Sequence, residues 1–422
     1  MPSSTTELKP EDCPCPDLPM RILDGEVFML KNGLHESGLF DLLEQATFAG
    51  IRSSMGDDVA ERVKQVGVEK IHTVVAAADI PKLTDSVYDF ITASSLDFLK
   101  PFVGNVLGIT GSFFFERKPN VRFHIPHDVV ANEIKNFKEF TRQHGDGKIT
   151  PHKTHRDSWV DCPANLINVW IAVGPVREGN SLTLYPTVYR DDIKNNGPYI
   201  RADENPGPAD TFEMDAGDVL LFHGNHLHGS EINSTDCTRH VISFRIVLEK
   251  PNYTHGHYHH YAHSALAGGA LDWLAELPQN LAWSYVRQVG RSLGKLAGLQ
   301  KSGVNGVAPH KASAIGDVSG DDISVPLASL QPGTLHAVSD KICVMRTDSG
   351  EVKAFSRYCP HQGADLSLGA IREHDVMCPW HNLPLDPDTG ASPCQSLRKI
   401  KTYPCEIRGD QVHITRTTAT VD

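Results

Sequence analysis

The 422-residue chain contains no apolar run of about 18 residues, so a hydrophobic helical membrane span is excluded. It has no basic stretch leading into an apolar segment at its start, Met-Pro-Ser-Ser-Thr-Thr-Glu-Leu-Lys, and so no secretory signal; a cytoplasmic location is expected. It has no excess of positive charge either. Net charge is −12, and residues 323–422 carry 10 basic against 11 acidic side chains, which leaves nearly all the acidity in the first 322 residues and argues against nucleic acid as a partner. Nine cysteines, widely scattered, are too few for a disulfide scaffold. Cys13 and Cys15 stand in a Pro-rich leader that reads as a free tail rather than a metal site. No internal repeat or low-complexity tract is present.

The length implies two domains. Lys301–Asp322, with four glycines and three serines, reads as a linker between residues 1–300 and 323–422. Just before it, Leu281, Tyr285, Val286, Val289, Leu293 and Leu296 recur at helical spacing, as do Leu39, Leu42, Leu43 and Ala46, and Leu83, Val87, Phe90 and Ile91. The centre of the first part is a series of strands separated by turns: Leu166–Val173, Ser181–Tyr185, Asp218–Phe222 and His240–Val247. A sandwich or barrel with flanking helices follows.

The sharpest motif is Cys359-Pro-His361 and Cys378-Pro-Trp-His381, two pairs separated by 16 residues. Two thiolates and two imidazoles are the set in which histidines replace two cysteines on one iron of a 2Fe-2S cluster; they also satisfy tetrahedral zinc. Gly363 and Pro384, Pro387 and Pro393 supply tight loops, and Ser396–Ile414 reads as two strands around a Gly-Asp turn. Residues 323–414 resemble the Rieske ferredoxin family. The resemblance implies a small antiparallel β domain in which Cys359 and Cys378 bind the inner iron and His361 and His381 the outer one. Respiratory Rieske proteins carry an extra cysteine in each loop; here Ala364 and Trp380 occupy those places, as in the ferredoxin and oxygenase type. Cys343, Cys394 and Cys405 are then packing residues.

A second site lies upstream. In His155-Arg-Asp157 the first and third side chains share one face of an extended segment, so an imidazole and a carboxylate can hold one metal. His223, His226 and His228 offer a third ligand, and Arg239 follows eleven residues after His228. His155-x-Asp157, His228-Gly-Ser230 and Arg239 resemble the iron(II)/2-oxoglutarate dioxygenases similar to phytanoyl-CoA dioxygenase, over about residues 119–248. The resemblance implies a double-stranded β-helix (jelly roll), with Fe(II) on His155, Asp157 and His228, 2-oxoglutarate's distal carboxylate on Arg239, and a hydrogen bond to it from Ser230. Three ligands on one face leave positions for a 2-oxo acid and oxygen, and a guanidinium fork suits a buried carboxylate. Asp157 speaks against the family's halogenases, where a small residue stands in its place. Asn168 and Trp170 are candidate pocket residues. His255, His257, His259, His260 and His263 read as a surface or oligomer contact.

The expected protein is a fused Fe(II)/2-oxoglutarate dioxygenase and Rieske 2Fe-2S ferredoxin that oxidises a small organic substrate with O2, in a biosynthetic setting. The cluster would supply or restore electrons at the iron, fed by a ferredoxin reductase. Two alternatives stand beside it: a Rieske-type oxygenase driven by an external reductase without 2-oxoglutarate, and a non-catalytic electron-transfer protein. The analogy with Rieske oxygenases also admits a homo-oligomer in which one subunit's cluster serves its neighbour's iron.

Overall fold

The computed structural model describes residues 5–416 except 136, 145–148, 150, 161, 202–203, 254–260, 266–316, 320–321, 362 and 380–381. The helix read after Pro278, most of the linker, four of the five clustered histidines, and Trp380 and His381 lie outside the described residues. No helix among the described residues is long and apolar enough to cross a membrane.

The main sheet runs Thr5–Leu8, Val27–Leu30, Val219–His223, Ile167–Ala172, Arg239–Val247, Ser112–Glu116 and Tyr261–Ala265 in spatial order, and Asn120–His124 also pairs with Arg239–Val247. Strand periodicity assigns the two faces of this sheet to different tasks. In Ile167–Ala172, Ile167, Val169 and Ile171 join the core beneath the helices, whereas Trp170 and Ala172 face the second layer. Val219 and Leu221 likewise turn to the helices, and Leu220 and Phe222 turn inward. Each Val, Leu, Ile or Phe side chain so removed from water contributes about 1.5–3 kcal/mol.

The helices Leu39–Met55 and Ile80–Ala93 cover the outer face, with Leu43, Ala46, Leu83 and Val87 buried beneath them as their spacing predicts. Gly50 permits the close crossing, since a Cβ there would stand 2.5 Å from Val87 Cα. The second layer is the antiparallel pair Leu182–Tyr185 and Leu227–Ser230, extended by bridges from His155 to His228 and from Leu184 to Asp210. Two facing sheets form the jelly roll, and the site opens between them.

The N-terminal segment differs from its expected role as a tail. Thr5–Leu8 pairs in parallel with Val27–Leu30, and Cys13 and Cys15 pack half-buried against the main core, with Cys15 N donating to Val106 O at 3.1 Å. Apolar contact, rather than local propensity, fixes that leader.

The C-terminal module is built from short antiparallel sheets. One contains Asp317–Ser319, Asp322–Pro326, Gln411–Thr415 and Cys405–Arg408; another contains Thr334–Ala337, Ile342–Arg346, Val352–Ser356 and Thr402–Tyr403. The strand Asp317–Ser319 falls inside the stretch read as linker. Cys343 and Cys394 are buried in one apolar cluster and Cys405 packs half-buried against another, in agreement with their assignment to packing.

Candidate metal centres

His155 enters the site on an isolated bridge to His228, with reciprocal backbone bonds of 2.8 and 2.9 Å. Each ring is oriented by a local carbonyl. His155 Nδ1 lies 2.8 Å from Lys153 O and His228 Nδ1 lies 2.8 Å from His226 O, an arrangement in which both Nδ1–H groups donate and both Nε2 lone pairs stay free. Those two Nε2 atoms each stand 3.9 Å from a different oxygen of Asp157. Burial holds both imidazoles below their usual range, so they are neutral, the form a metal requires. Two neutral imidazoles and a carboxylate converging on one point form a donor set suited to Fe(II).

Asp157 is fully buried, and burial alone would raise its carboxyl; Arg245, His228 and Asn168 outweigh that and keep it ionised. Arg245 Nη2 donates to Oδ1 at 2.6 Å and Asn168 Nδ2 to Oδ2 at 2.7 Å. Arg245 also meets Glu116 at 3.0 Å. A Cβ at Gly224 would come within 3.0 Å of Asp157 Oδ2, so the glycine keeps that side of the carboxylate open. Beside them His152 lies 3.2 Å from His155 Nδ1, and burial pushes its ring down to about 3.

The cavity next to these residues is floored by alternate positions of two paired strands: Asn120, Arg122 and His124 from one, Arg239, Val241, Ser243 and Arg245 from the other. Both expected lining residues, Asn168 and Trp170, face it. Arg239 donates to Asn180 O at 2.7 Å and Ser230 Oγ at 3.0 Å, with its guanidinium 5.6 Å from the Trp170 ring centroid. It pairs with no carboxylate among the described residues, and burial lowers it to about 9. Arg122 also lines the cavity, and its guanidinium has no hydrogen-bond partner among the described residues. By contrast His223 bonds Tyr189 Oη at 2.6 Å and His226 bonds Gly25 O at 2.9 Å, which separates both from the set converging on Asp157. His263 packs against Phe114 in the edge strand.

In the C-terminal module two tight turns present the cysteines. Cys359 N donates to Ala364 O and Gly363 N to Cys359 O, both at 2.9 Å; Cys378 N donates to Leu383 O at 3.0 Å and Asn382 N to Cys378 O at 2.9 Å. Gly363 and Asn382 hold the positive φ that each turn requires, 81° and 51°. Cys359 and Cys378 are buried in one apolar cluster, and burial, aided by His127 and Lys153, pushes the His361 ring down to about 3. Three of the four expected ligands are thus thiols and a neutral imidazole on paired turns, a donor set suited to a cluster.

Residues 63–241 match the phytanoyl-CoA dioxygenase family and residues 324–404 match the Rieske [2Fe-2S] domain. The chain belongs to both families, as a fusion of a phytanoyl-CoA dioxygenase domain with a C-terminal Rieske domain. Among curated proteins it is similar to a vanillate O-demethylase oxygenase subunit of a Pseudomonas species, 31% identical over 67 residues, 16% of this chain and 20% of the relative. It is also similar to the cholesterol 7-desaturase of Caenorhabditis elegans, 28% identical over 101 residues, 22% of this chain and 24% of the relative. The chain therefore spans only about a fifth to a quarter of the length of these relatives. Among solved structures, a ferredoxin of Sphingomonas yanoikuyae B1 is 34% identical over 21% of this chain and 92% of its own, with a TM-score of 0.20.

The sequence reading did not single out Arg122, His152, Arg245 or Glu231 for a role at the site. Arg245 was within reach, because Arg239 and Arg245 lie six residues apart on one strand and so share a face.

Proposed function

We propose that the chain is a non-haem Fe(II)/2-oxoglutarate-dependent oxygenase that hydroxylates, or otherwise oxidises by two electrons, a small organic substrate. The carrying observation is the placement of a buried guanidinium with no carboxylate partner among the described residues, Arg239, in the cavity beside His155, Asp157 and His228. A dicarboxylic 2-oxo acid supplies what that cavity lacks: one carboxylate for Arg239, and a 2-oxo acid end for the metal. The Ser230 hydroxyl accepts from Arg239 and retains its own proton to donate to the same carboxylate. Arg122 adds a second cation and strengthens the preference for a dianion. Iron bound here would activate oxygen with electrons from decarboxylation of the 2-oxo acid.

In this reading His155, Asp157 and His228 hold the iron; Asn168 and Arg245 fix the Asp157 carboxylate; Trp170, Leu182 and Phe222 shed water from the cavity. Cys359, His361, Cys378 and His381 hold the 2Fe-2S cluster, which supplies or restores electrons at the iron and receives them from an external reductase. The oxygenase domain extends to about residue 300, and a connector leads to the Rieske domain. A Rieske-type oxygenase that dispenses with 2-oxoglutarate would leave Arg239 without a ligand to bind.

The test is succinate formation from 2-oxoglutarate by the iron-loaded protein. Arg239→Met should raise KM for 2-oxoglutarate about 30-fold, since losing one partner of a buried charged hydrogen bond costs ~2 kcal/mol or more. An unchanged KM, or no succinate from wild type under any substrate tried, would remove 2-oxoglutarate from the mechanism.

A further inference from the structure

The turns that carry the cluster ligands rest on the oxygenase domain of their own chain, beside the strand that carries His228 and the bridging segment that carries His155. Glu231, 4% exposed, follows directly on Leu227–Ser230, three residues beyond His228. Its Oε1 accepts from Asn382 Nδ2 at 3.0 Å, while Oε2 accepts from Gly179 N at 2.9 Å and Ser181 N at 3.2 Å. Asn382 is the residue after His381 and closes the Cys378 turn. Glu231 thus ties one cluster turn to the strand of one metal ligand.

A second contact reaches the other ligand. Tyr185, 2% exposed, pairs with Leu227 across the strands and directs its hydroxyl to Pro379 O at 3.5 Å. The same hydroxyl bonds the side chain of Thr154, the residue before His155. The His361 turn completes the seat: its ring stands edge-on to His127, centroids 5.6 Å apart, and Asp128 accepts from Ser396 N at 3.1 Å. Ile232 is part of the Rieske domain's own apolar core. Buried polar groups matched across a junction, with an apolar side chain of one domain buried in the core of the other, are the marks of a fixed interface rather than a passing encounter.

We propose that the Rieske domain serves the iron of its own chain, and that Glu231–Asn382 and Tyr185–Pro379 are the positioning contacts that hold the cluster against the strand bearing His228 and the bridging segment bearing His155. One electron leaves the reduced cluster, ferric iron at the upstream site becomes ferrous, and the oxidised cluster is refilled by a one-electron donor protein. The rim contact of Arg372 with Glu178 at 3.0 Å is solvent-exposed, as is that of Ser396 with Asp128, and such contacts contribute little. The inference rests on both metal sites but not on 2-oxoglutarate.

The test reads distance rather than turnover. Protein with a reduced cluster is loaded at the upstream site with paramagnetic Co(II) or diamagnetic Zn(II), and the relaxation of the cluster's electron-spin signal is compared. Co(II) should accelerate relaxation in wild type at every protein concentration. A mixture of His155→Ala protein, bearing only a cluster, with Co(II)-loaded Cys359→Ser protein should relax as slowly as the Zn(II) control. Fast relaxation in that mixture would place the electron path between subunits and overturn the proposal, as would a wild-type signal indifferent to Co(II). Absence of any cluster signal in wild type would instead overturn the Rieske reading itself. Glu231→Ala and Asn382→Ala, approaching one bond from opposite sides, should each lose the Co(II) effect; Arg372→Ala should keep it. If both interior variants retain it in full, these contacts do not position the cluster.

Discussion

Asp157→Ala is expected to abolish iron binding and turnover together, and to lower the stability of the metal-free protein by about 3 kcal/mol. The two effects have separate causes. Iron would be lost because the other two proposed ligands, His155 and His228, are neutral and would supply no charge to the metal. Stability is lost because Arg245, 13% exposed, is left facing the space where the carboxylate stood. Removing one partner of a buried ion pair costs about 3–5 kcal/mol, and the lower end applies because Glu116 still meets Arg245 at 3.0 Å. Denaturant unfolding without metal, beside metal analysis after reconstitution, distinguishes the two. Wild-type iron content in Asp157→Ala would remove Asp157 from the ligand set; unchanged stability would mean that Glu116 alone neutralises Arg245. Asp157→Asn should lose iron as well.

The parts of this architecture that were legible in advance share a short-range code. The helices Leu39–Met55 and Ile80–Ala93 announce themselves by period, because each buries a regular face, and the strand Ile167–Ala172, buried at every position, by its β-rich composition. The approach of His155 to Asp157, 3.9 Å between Nε2 and Oδ1, was legible because side chains two apart on an extended segment share a side. What was not legible depends on pairing between distant strands. Arg122 reaches the cavity only because Asn120–His124 pairs antiparallel with Arg239–Val247, in a register that sets Arg122 opposite Val241. Glu231 and Asn382 are 151 residues apart, and nothing near either predicts the other. The N-terminal leader was misread for the same reason: Thr5–Leu8 is a strand because of Val27–Leu30, not because of its own composition.

The other large effect should fall on the Rieske domain, at the buried pair Arg357–Asp365. Arg357, fully buried, donates through Nε to both oxygens of Asp365 at 3.0 Å and through Nη2 to one at 2.6 Å, while Nη1 donates to Ser339 O at 3.2 Å. The pair closes the base of the turn that presents Cys359 and His361, and Leu366 N donates back to Arg357 O at 2.8 Å. Arg357→Met keeps the volume but strands a buried carboxylate that still accepts from the Ser367 amide and hydroxyl. A loss of about 3–5 kcal/mol is expected, read as a lower denaturation midpoint, together with loss of the cluster's visible absorption. Arg372→Ala, at an exposed pair, should cost no more than about 1 kcal/mol. Arg357→Met with Asp365→Leu should recover much of the stability, because an apolar pair carries no desolvation penalty. It should not recover the cluster, since Asp365 also caps Ser367 and so shapes the turn. Full cluster uptake in the double variant would show that the ion pair acts on stability alone and that the ligand turn keeps its shape without it.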